Sequence, residues 1–221
     1  MTTGPIVIVD YGAGNLRSVA RAVAYVDEEP IVTTDPADLD RATAVILPGV
    51  GAAQDTMANL EARQMVDPIR RYVEQGRPFL GVCMGLQALF DWSDEGNGQP
   101  CLGLIPGTIR HFSFATNDLK IPHMGWNTVE WSREHPISRD VPSGSYFYFV
   151  HSFYPVPEDA SAMIGRTSYG VEFASVVARG NVVATQFHPE KSGDRGLQLY
   201  ANFCRWSRED SPESAAAEHS G

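Results

Sequence analysis

The chain has 221 residues, 43% hydrophobic and 20% charged, the proportions of an ordinary folded protein with a core large enough to need no staples. Lys plus Arg total 17 against 27 Asp plus Glu, and the resulting net charge of −10 disfavours nucleic acid or an anionic membrane as main partner. The N-terminal Met1-Thr2-Thr3-Gly4-Pro5 has no basic leader, and no apolar run approaches the ~20 residues of a bilayer span. Three unpatterned cysteines, Cys83, Cys101 and Cys204, predict a reducing, cytoplasmic setting and no zinc site.

Ile6-Val7-Ile8-Val9-Asp10 reads as a central parallel strand that ends in the turn Tyr11-Gly12-Ala13-Gly14. Asn15 is the expected cap of a helix through Val26, and a strand follows from Pro30 to Thr34. Ala44 to Leu47 forms a third buried strand, closed by Pro48-Gly49-Val50-Gly51. Two helical stretches come next, the second with Asp67 as cap, Pro68 at its first position and Gly76 past its end. The strand Phe79 to Val82 then leads into a helix from Met84 to Trp92. Strands alternating with helices imply βαβ units and a mostly parallel sheet.

After Gly96 the pattern changes to short β-prone runs: Gly107 to Phe112, Asn127 to Trp131, Tyr146 to Val150 and Met163 to Thr167. Val171 to Val177 and Val182 to Gln186 flank Arg179-Gly180-Asn181, a hairpin turn. A last helix runs from about Asp194 to Trp206. The expected fold is α/β in three layers, an open, mostly parallel sheet with flanking helices and added antiparallel strands. A single domain is expected over residues 1–206, with 207–221 as a disordered tail.

The chemistry concentrates at Gly81-Val82-Cys83-Met84-Gly85. A strand that enters a cysteine between glycines and leaves as a helix has the layout of a nucleophile elbow, G-x-C-x-G, with thiol in place of serine. A free cysteine is more often a small buried hydrophobe, but the flanking glycines suggest a sharp turn that a core strand does not need. The Met84 N–H would then be free to bind an oxyanion. A thiol nucleophile needs a base and the base an orienter. Among six histidines, His188 ends a strand and precedes Pro189 and Glu190, and in extended geometry positions i and i+2 share a side, making imidazole and carboxylate neighbours. A plain His-Pro turn with an exposed Glu is the bland account of that tripeptide taken alone. Gly49, Val50 and Gly51 follow a strand end, where α/β sheets bind ligands, and a backbone N–H there could complete an oxyanion hole. Pro122-His123-Met124-Gly125-Trp126-Asn127 reads as a loop, and Tyr146 to Phe153 is aromatic enough that both faces of its strand should be covered.

Together these residues resemble the triad-type (class I) glutamine amidotransferases, and within them the glutaminase subunits of imidazole glycerol phosphate synthases. The resemblance runs from Asp10 to about Trp206. The elbow and His188-Pro189-Glu190 belong to the whole superfamily. The YGAGNL, PGVG, PHMGWN, YFVHS and QFHPEKSG segments are more specific, and Ala53 departs from them where an aromatic is common. The resemblance implies that Cys83 attacks the glutamine amide, His188 moves the proton and Glu190 orients His188. It further implies an oxyanion hole from Val50 and Met84, and glutamine contacts from Gly49, Gly51, Gln87, Ser152 and Phe153. The implied partner is a (β/α)8-barrel cyclase in a heterodimer, met through Asn15, Trp126, Asn127, Tyr148 and Lys191. The barrel would use the ammonia to make imidazole glycerol phosphate and an aminoimidazole carboxamide ribonucleotide in histidine biosynthesis. No metal or organic cofactor is implied. Alternatives are a glutaminase subunit for anthranilate, aminodeoxychorismate, purine or pyridoxal phosphate synthesis, a stand-alone cysteine hydrolase, and a non-enzymatic module of the same fold.

Overall fold

The computed structural model describes residues 4–27, 29–114 and 119–209. The first half alternates strands and helices: β1 (Ile6–Val9), α1 (Leu16–Val26), β2 (Ile31–Thr33), β3 (Ala44–Gly49), α2 (Ala53–Ala62), α3 (Val66–Glu74), β4 (Phe79–Cys83) and α4 (Met84–Gln87). The second half is mainly strands: β5 (Phe90–Ser93), β6 (Gln99–Pro100), β7 (Ile105–His111), β8 (His123–Trp131), β9 (Ser145–His151), β10 (Phe153–Pro157), β11 (Met163–Tyr169), β12 (Val171–Arg179) and β13 (Val182–Thr185), before α5 (Gly193–Glu209). Among the described residues, β2-β1-β3-β4-β13 pair in parallel, and β12, β11, β8 and β9 continue the same sheet antiparallel. A second sheet, β10-β7-β5-β6, is mixed.

The continuous apolar runs of β1 and β3 are explained by burial on both faces. Ile6 and Ile8 pack into one core with Val23, Tyr200 and Phe203 of α1 and α5. Val7 and Val9 pack into the other with Leu60, Ile69 and Phe90. The Gly180-Asn181 hairpin forms as expected and returns β13 beside β4, with Thr185 opposite Val82. That placement brings the chain end that carries His188 next to Cys83.

Several local expectations change. The elbow helix stops at Gln87 instead of Trp92, because the carbonyls of Ala88, Leu89 and Phe90 are taken by N–H groups of residues 102–105. Asn15 precedes α1, yet its side chain makes no capping bond; its carbonyl receives the Ser18 and Val19 N–H groups. α3 begins at Val66, so Met65 stands at the cap and Asp67 and Pro68 lie in the first turn. The 123–127 segment is strand, not loop, and continues to Trp131 because it pairs with β9 from His123↔His151 to Val129↔Ser145. β9 is covered on one face only: Phe147, Phe149 and His151 are buried, while Tyr146 is 60% exposed. α5 runs to Glu209, three residues past its expected end, with the Ser207 hydroxyl donating to the Cys204 carbonyl and Arg208 paired with Asp27. Residues 210–221, the rest of the expected tail, lie outside the described residues.

α4 lies directly on the sheet because glycines leave it room. A Cβ on Gly85 would collide with the Leu47 carbonyl, and one on Gly49 would meet the Tyr11 hydroxyl and the Met84 Cβ. Gly85→Ala is therefore expected to destabilise the fold by about 1–3 kcal/mol, the usual cost of overpacking a dense site, measured as a lower urea midpoint at unchanged slope.

Candidate active site

Cys83 sits where β4 becomes α4, at φ 55° and ψ −107°. A left-handed φ is uncommon for a residue with a Cβ and costs about 1–3 kcal/mol when held in place. The bend turns the side chain off the strand end into a cavity of about 420 Å³ between β3, β4, β9 and the 188–191 turn. Cys83 is buried, with 6% relative exposure, and its sulfur receives a long contact from Gln186 Nε2 at 4.0 Å.

His188 follows β13 and enters the same cavity. Its Nδ1–H donates to Glu190 Oε1 at 2.9 Å, with both side chains almost fully buried. The expectation of an extended path through this tripeptide is not met. Pro189–Lys191 form a 3-10 turn, and this turn, rather than strand alternation, folds the carboxylate back under the ring. The ring's backbone is fixed by a closed set of bonds. The His188 N–H donates to the Tyr148 carbonyl at 2.9 Å, the Tyr148 N–H to Ser192 Oγ at 3.0 Å, and the Ser192 hydroxyl to the His188 carbonyl at 2.7 Å.

His188 Nε2 is buried and makes no hydrogen bond by strict geometry, yet Cys83 lies close enough to bias its proton. The contact is therefore looser than a formed bond, as catalytic contacts often are before substrate arrives. Burial alone would discharge the ring, but Cys83 first and Glu190 second outweigh it and raise the pKa from 6.5 to about 10. Behind Glu190 lies the fully buried Tyr200, its pKa pushed well up by desolvation and then by the Glu190 charge. A thiol, an imidazole of raised proton affinity beside it and a carboxylate on the far nitrogen form a set able to carry out acyl transfer through sulfur.

Most of the other expected residues gather here. Met84, Val50, Gly51, Gln87, Ser152 and Phe153 all line the cavity. Val50 is at its mouth, 40% exposed and followed by Gly51 at φ +101°. Gly49 does not line it; it lies beneath, packed against Tyr11 and the start of α4. Gln87 donates to the Phe153 carbonyl at 3.1 Å and to Gln186 Oε1 at 3.2 Å, while its own Oε1 is buried without a partner.

Among the described residues, Glu95 is the carboxylate on the cavity wall, and sequence reasoning missed it. Its Oε2 accepts the Ala53 N–H at 2.6 Å. No local signal in Asp94-Glu95-Gly96 marks it out from other acidic turn residues. Gln186 was also passed over, as the end of a strand.

The expected partner-facing residues divide. Trp126 and Tyr148 are cross-strand neighbours with edge-to-face rings 6.2 Å apart, and Lys191 Nζ lies 5.7 Å from the Tyr148 ring centre. Asn15 is half-buried at the start of α1, the helix that packs on the 189–191 turn. Asn127 lies on the opposite face of β8 from Trp126, where its amide donates inward to His123 Nε2 at 3.2 Å and to the Ser168 carbonyl at 3.0 Å. In a strand, neighbours in sequence point to opposite faces, so Asn127 and Trp126 do not share one surface of β8.

A family model described as glutamine amidotransferase class-I matches residues 7–205. The chain is 47% identical over 204 residues to "Imidazole glycerol phosphate synthase subunit HisH" of Nitrosococcus oceani, across 91% of this chain and 97% of that one. It is 49% identical over 202 residues to the protein of the same name from Syntrophotalea carbinolica, across 90% and 98%. Among solved structures it is similar to PurLQS from Thermotoga maritima, with a TM-score of 0.71 and 20% identity across 92% of this chain and 99% of that chain. At that identity the likeness speaks for the fold alone.

The raised pKa of His188 makes its proton a stabilising ligand of the fold. That contribution is complete below pH 6.5 and is lost as pH rises toward about 10. The stability difference between the unmodified chain and His188→Asn, from urea unfolding, is expected to shrink across that window. A difference that stays flat would show that the ring carries no extra proton.

Proposed function

The chain belongs to the class-I glutamine amidotransferase family, and we propose that it is the glutaminase subunit of an imidazole glycerol phosphate synthase. It hydrolyses glutamine to glutamate and ammonia. The observation that carries the reading is the convergence of Cys83 and His188 on one cavity, with Glu190 bonded to the far nitrogen of His188 and Glu95 offering a carboxylate on the cavity wall.

In this reading Cys83 Sγ attacks the side-chain amide carbon of glutamine, with its proton held by His188. The oxygen becomes an oxyanion, received by the Met84 N–H at the start of α4 and by the Val50 N–H. His188 Nε2 gives its proton to the departing nitrogen, which leaves as ammonia, and a γ-glutamyl thioester remains on Cys83. The now neutral ring takes a proton from water, the hydroxide attacks the thioester, and glutamate leaves as the thiolate re-forms. Glu190 keeps the ring oriented with Nε2 toward sulfur throughout. Gln87 and the backbone at Ser152 and Phe153 hold the substrate side chain. Glu95 supplies the negative charge that the glutamine α-ammonium requires. Val50, exposed at the mouth and hinged by glycine, is the donor whose orientation a partner can control.

The partner in this reading is a (β/α)8-barrel cyclase that consumes the ammonia. Its docking face is the outer side of β8 and β9, where Met124, Trp126 and Tyr146 are 62%, 57% and 60% exposed beside Tyr148. Exposed aromatics clustered on one strand pair are the composition of a protein interface rather than of a solvated edge.

Glutamate release should be low for the chain alone and rise strongly with the cyclase and its nucleotide. Cys83→Ser should abolish that release while the complex still makes product from added ammonia. Full activity without any partner would sink the partner reading, and residual glutamine hydrolysis by the variant complex would sink the nucleophile. Glu95→Gln keeps an acceptor for Ala53 but loses the charge, so steady-state kinetics should show KM for glutamine raised about tenfold or more with a smaller change in kcat.

A further inference from the structure

On the inner face of β8 and β9, opposite their outer aromatic face, two buried histidines stand as a cross-strand pair, His123 on β8 and His151, which lines the cavity, on β9. The mechanism above uses neither. Their hydrogen bonds run in one direction. The Phe153 carbonyl can only accept, so His151 Nδ1, 2.7 Å away, must carry the proton. In a neutral ring His151 Nε2 then accepts, and the atom 2.9 Å from it, His123 Nδ1, must donate. His123 Nε2 accepts in turn, and Asn127 Nδ2 donates to it at 3.2 Å. Asn127 is held by its second N–H on the Ser168 carbonyl and by the Thr128 N–H on its Oδ1 at 2.8 Å. Every ring nitrogen has a partner, and each ring sets the other's tautomer.

The surroundings favour neutral rings. His123 stacks between Tyr169 and Phe149 at 4.0 and 4.8 Å, and His151 lies 5.2 to 5.3 Å from Phe173 and Phe112. Desolvation pulls His123 down to about 4 and His151 to about 3, where the Phe153 carbonyl opposes it and His123 and then His188 add to it.

The line does not end at Phe153. The same carbonyl accepts from Gln87 Nε2 at 3.1 Å, Gln87 also donates to Gln186 Oε1 at 3.2 Å, and Gln186 Nε2 reaches Cys83 Sγ at 4.0 Å. One path of hydrogen bonds, closed by the long Gln186–Cys83 contact, therefore joins Asn127, on the strand bearing Trp126, to the thiol.

We propose that His123 and His151 are positioning residues for the glutamine subsite: as a neutral, tautomer-locked pair they hold the Phe153 carbonyl, and through it Gln87 and Gln186, in register with Cys83. The proposal rests on the glutaminase reading and deepens it. It also gives the partner-bearing strand pair a direct mechanical hold on the groups that receive the substrate amide.

The test compares two thiol probes on the full chain. A γ-diazoketone analogue of glutamine alkylates Cys83 only when seated in the subsite, whereas iodoacetamide reports thiol access alone. His123→Leu is expected to slow analogue labelling by about tenfold or more, as misplacement of binding groups does, and to leave the iodoacetamide rate unchanged. His123→Asn, which keeps an N–H where Nδ1 stood, should recover most of the loss. An unchanged analogue rate in His123→Leu, or equal slowing of both probes, overturns the proposal. A measurement that needs no variant is the nitrogen NMR of the imidazoles at neutral pH: both rings should be neutral with the proton on Nδ1, and an Nε2–H tautomer or a charged ring in either overturns it. If the unmodified chain shows no preference for the glutamine analogue, the glutaminase reading fails and this inference with it. If that preference is present and His123→Leu shares it, only this inference fails.

Discussion

A cysteine held at φ 55° on the end of a buried parallel strand is the constraint around which this molecule is arranged. That conformation costs about 1–3 kcal/mol and persists only where the surroundings leave no alternative. Here they leave none. β4 is paired on both sides, by β3 and β13, so the strand cannot relax. α4 is pressed onto the sheet through Gly85, whose missing side chain admits the Leu47 carbonyl. The carbonyls that would let the helix continue are used by the 102–105 segment. A short helix on an immobile turn is the result, with the thiol projecting from it into the cavity.

Three histidines near that thiol show how little residue type decides by itself. All are buried, and burial disfavours the charged ring in each. His188 faces a thiol and a carboxylate and goes up; His123 and His151 face aromatic rings and each other and go down. The interior therefore favours the proton on one imidazole and disfavours it on the neighbouring pair.

The strand pair β8–β9 carries two kinds of information on its two faces. The inner face holds the histidines and Asn127, and the outer face holds Met124, Trp126, Tyr146 and Tyr148. The sequence read as a loop and as an all-covered aromatic strand because Gly125, at φ +123°, interrupts the alternation and because a run of aromatics hides its own period. Register resolves both. Once His123 stands opposite His151, every second residue has its face assigned, and half-buried Asn127 falls on the histidine side of β8.

Features that depend on a few adjacent residues were legible in the sequence alone: the elbow between glycines, the pairing of His188 with Glu190, the Gly180-Asn181 hairpin, the alternating strands and helices of the first half, and the family these add up to. Their physics is local, set by backbone sterics and by hydrogen bonds that close within a turn. The meeting of Cys83 with His188 was legible only through the family resemblance, since it is produced by the parallel pairing of β13 with β4. Glu95 was not legible at all, and Gln186 and the histidine pair were legible only as members of the QFHPEKSG, PHMGWN and YFVHS segments. Their placement comes from strand order, register and burial, which bring together residues far apart in the chain. Desolvation then decides which of those residues is charged, and that depends on the whole packed interior rather than on any stretch of chain.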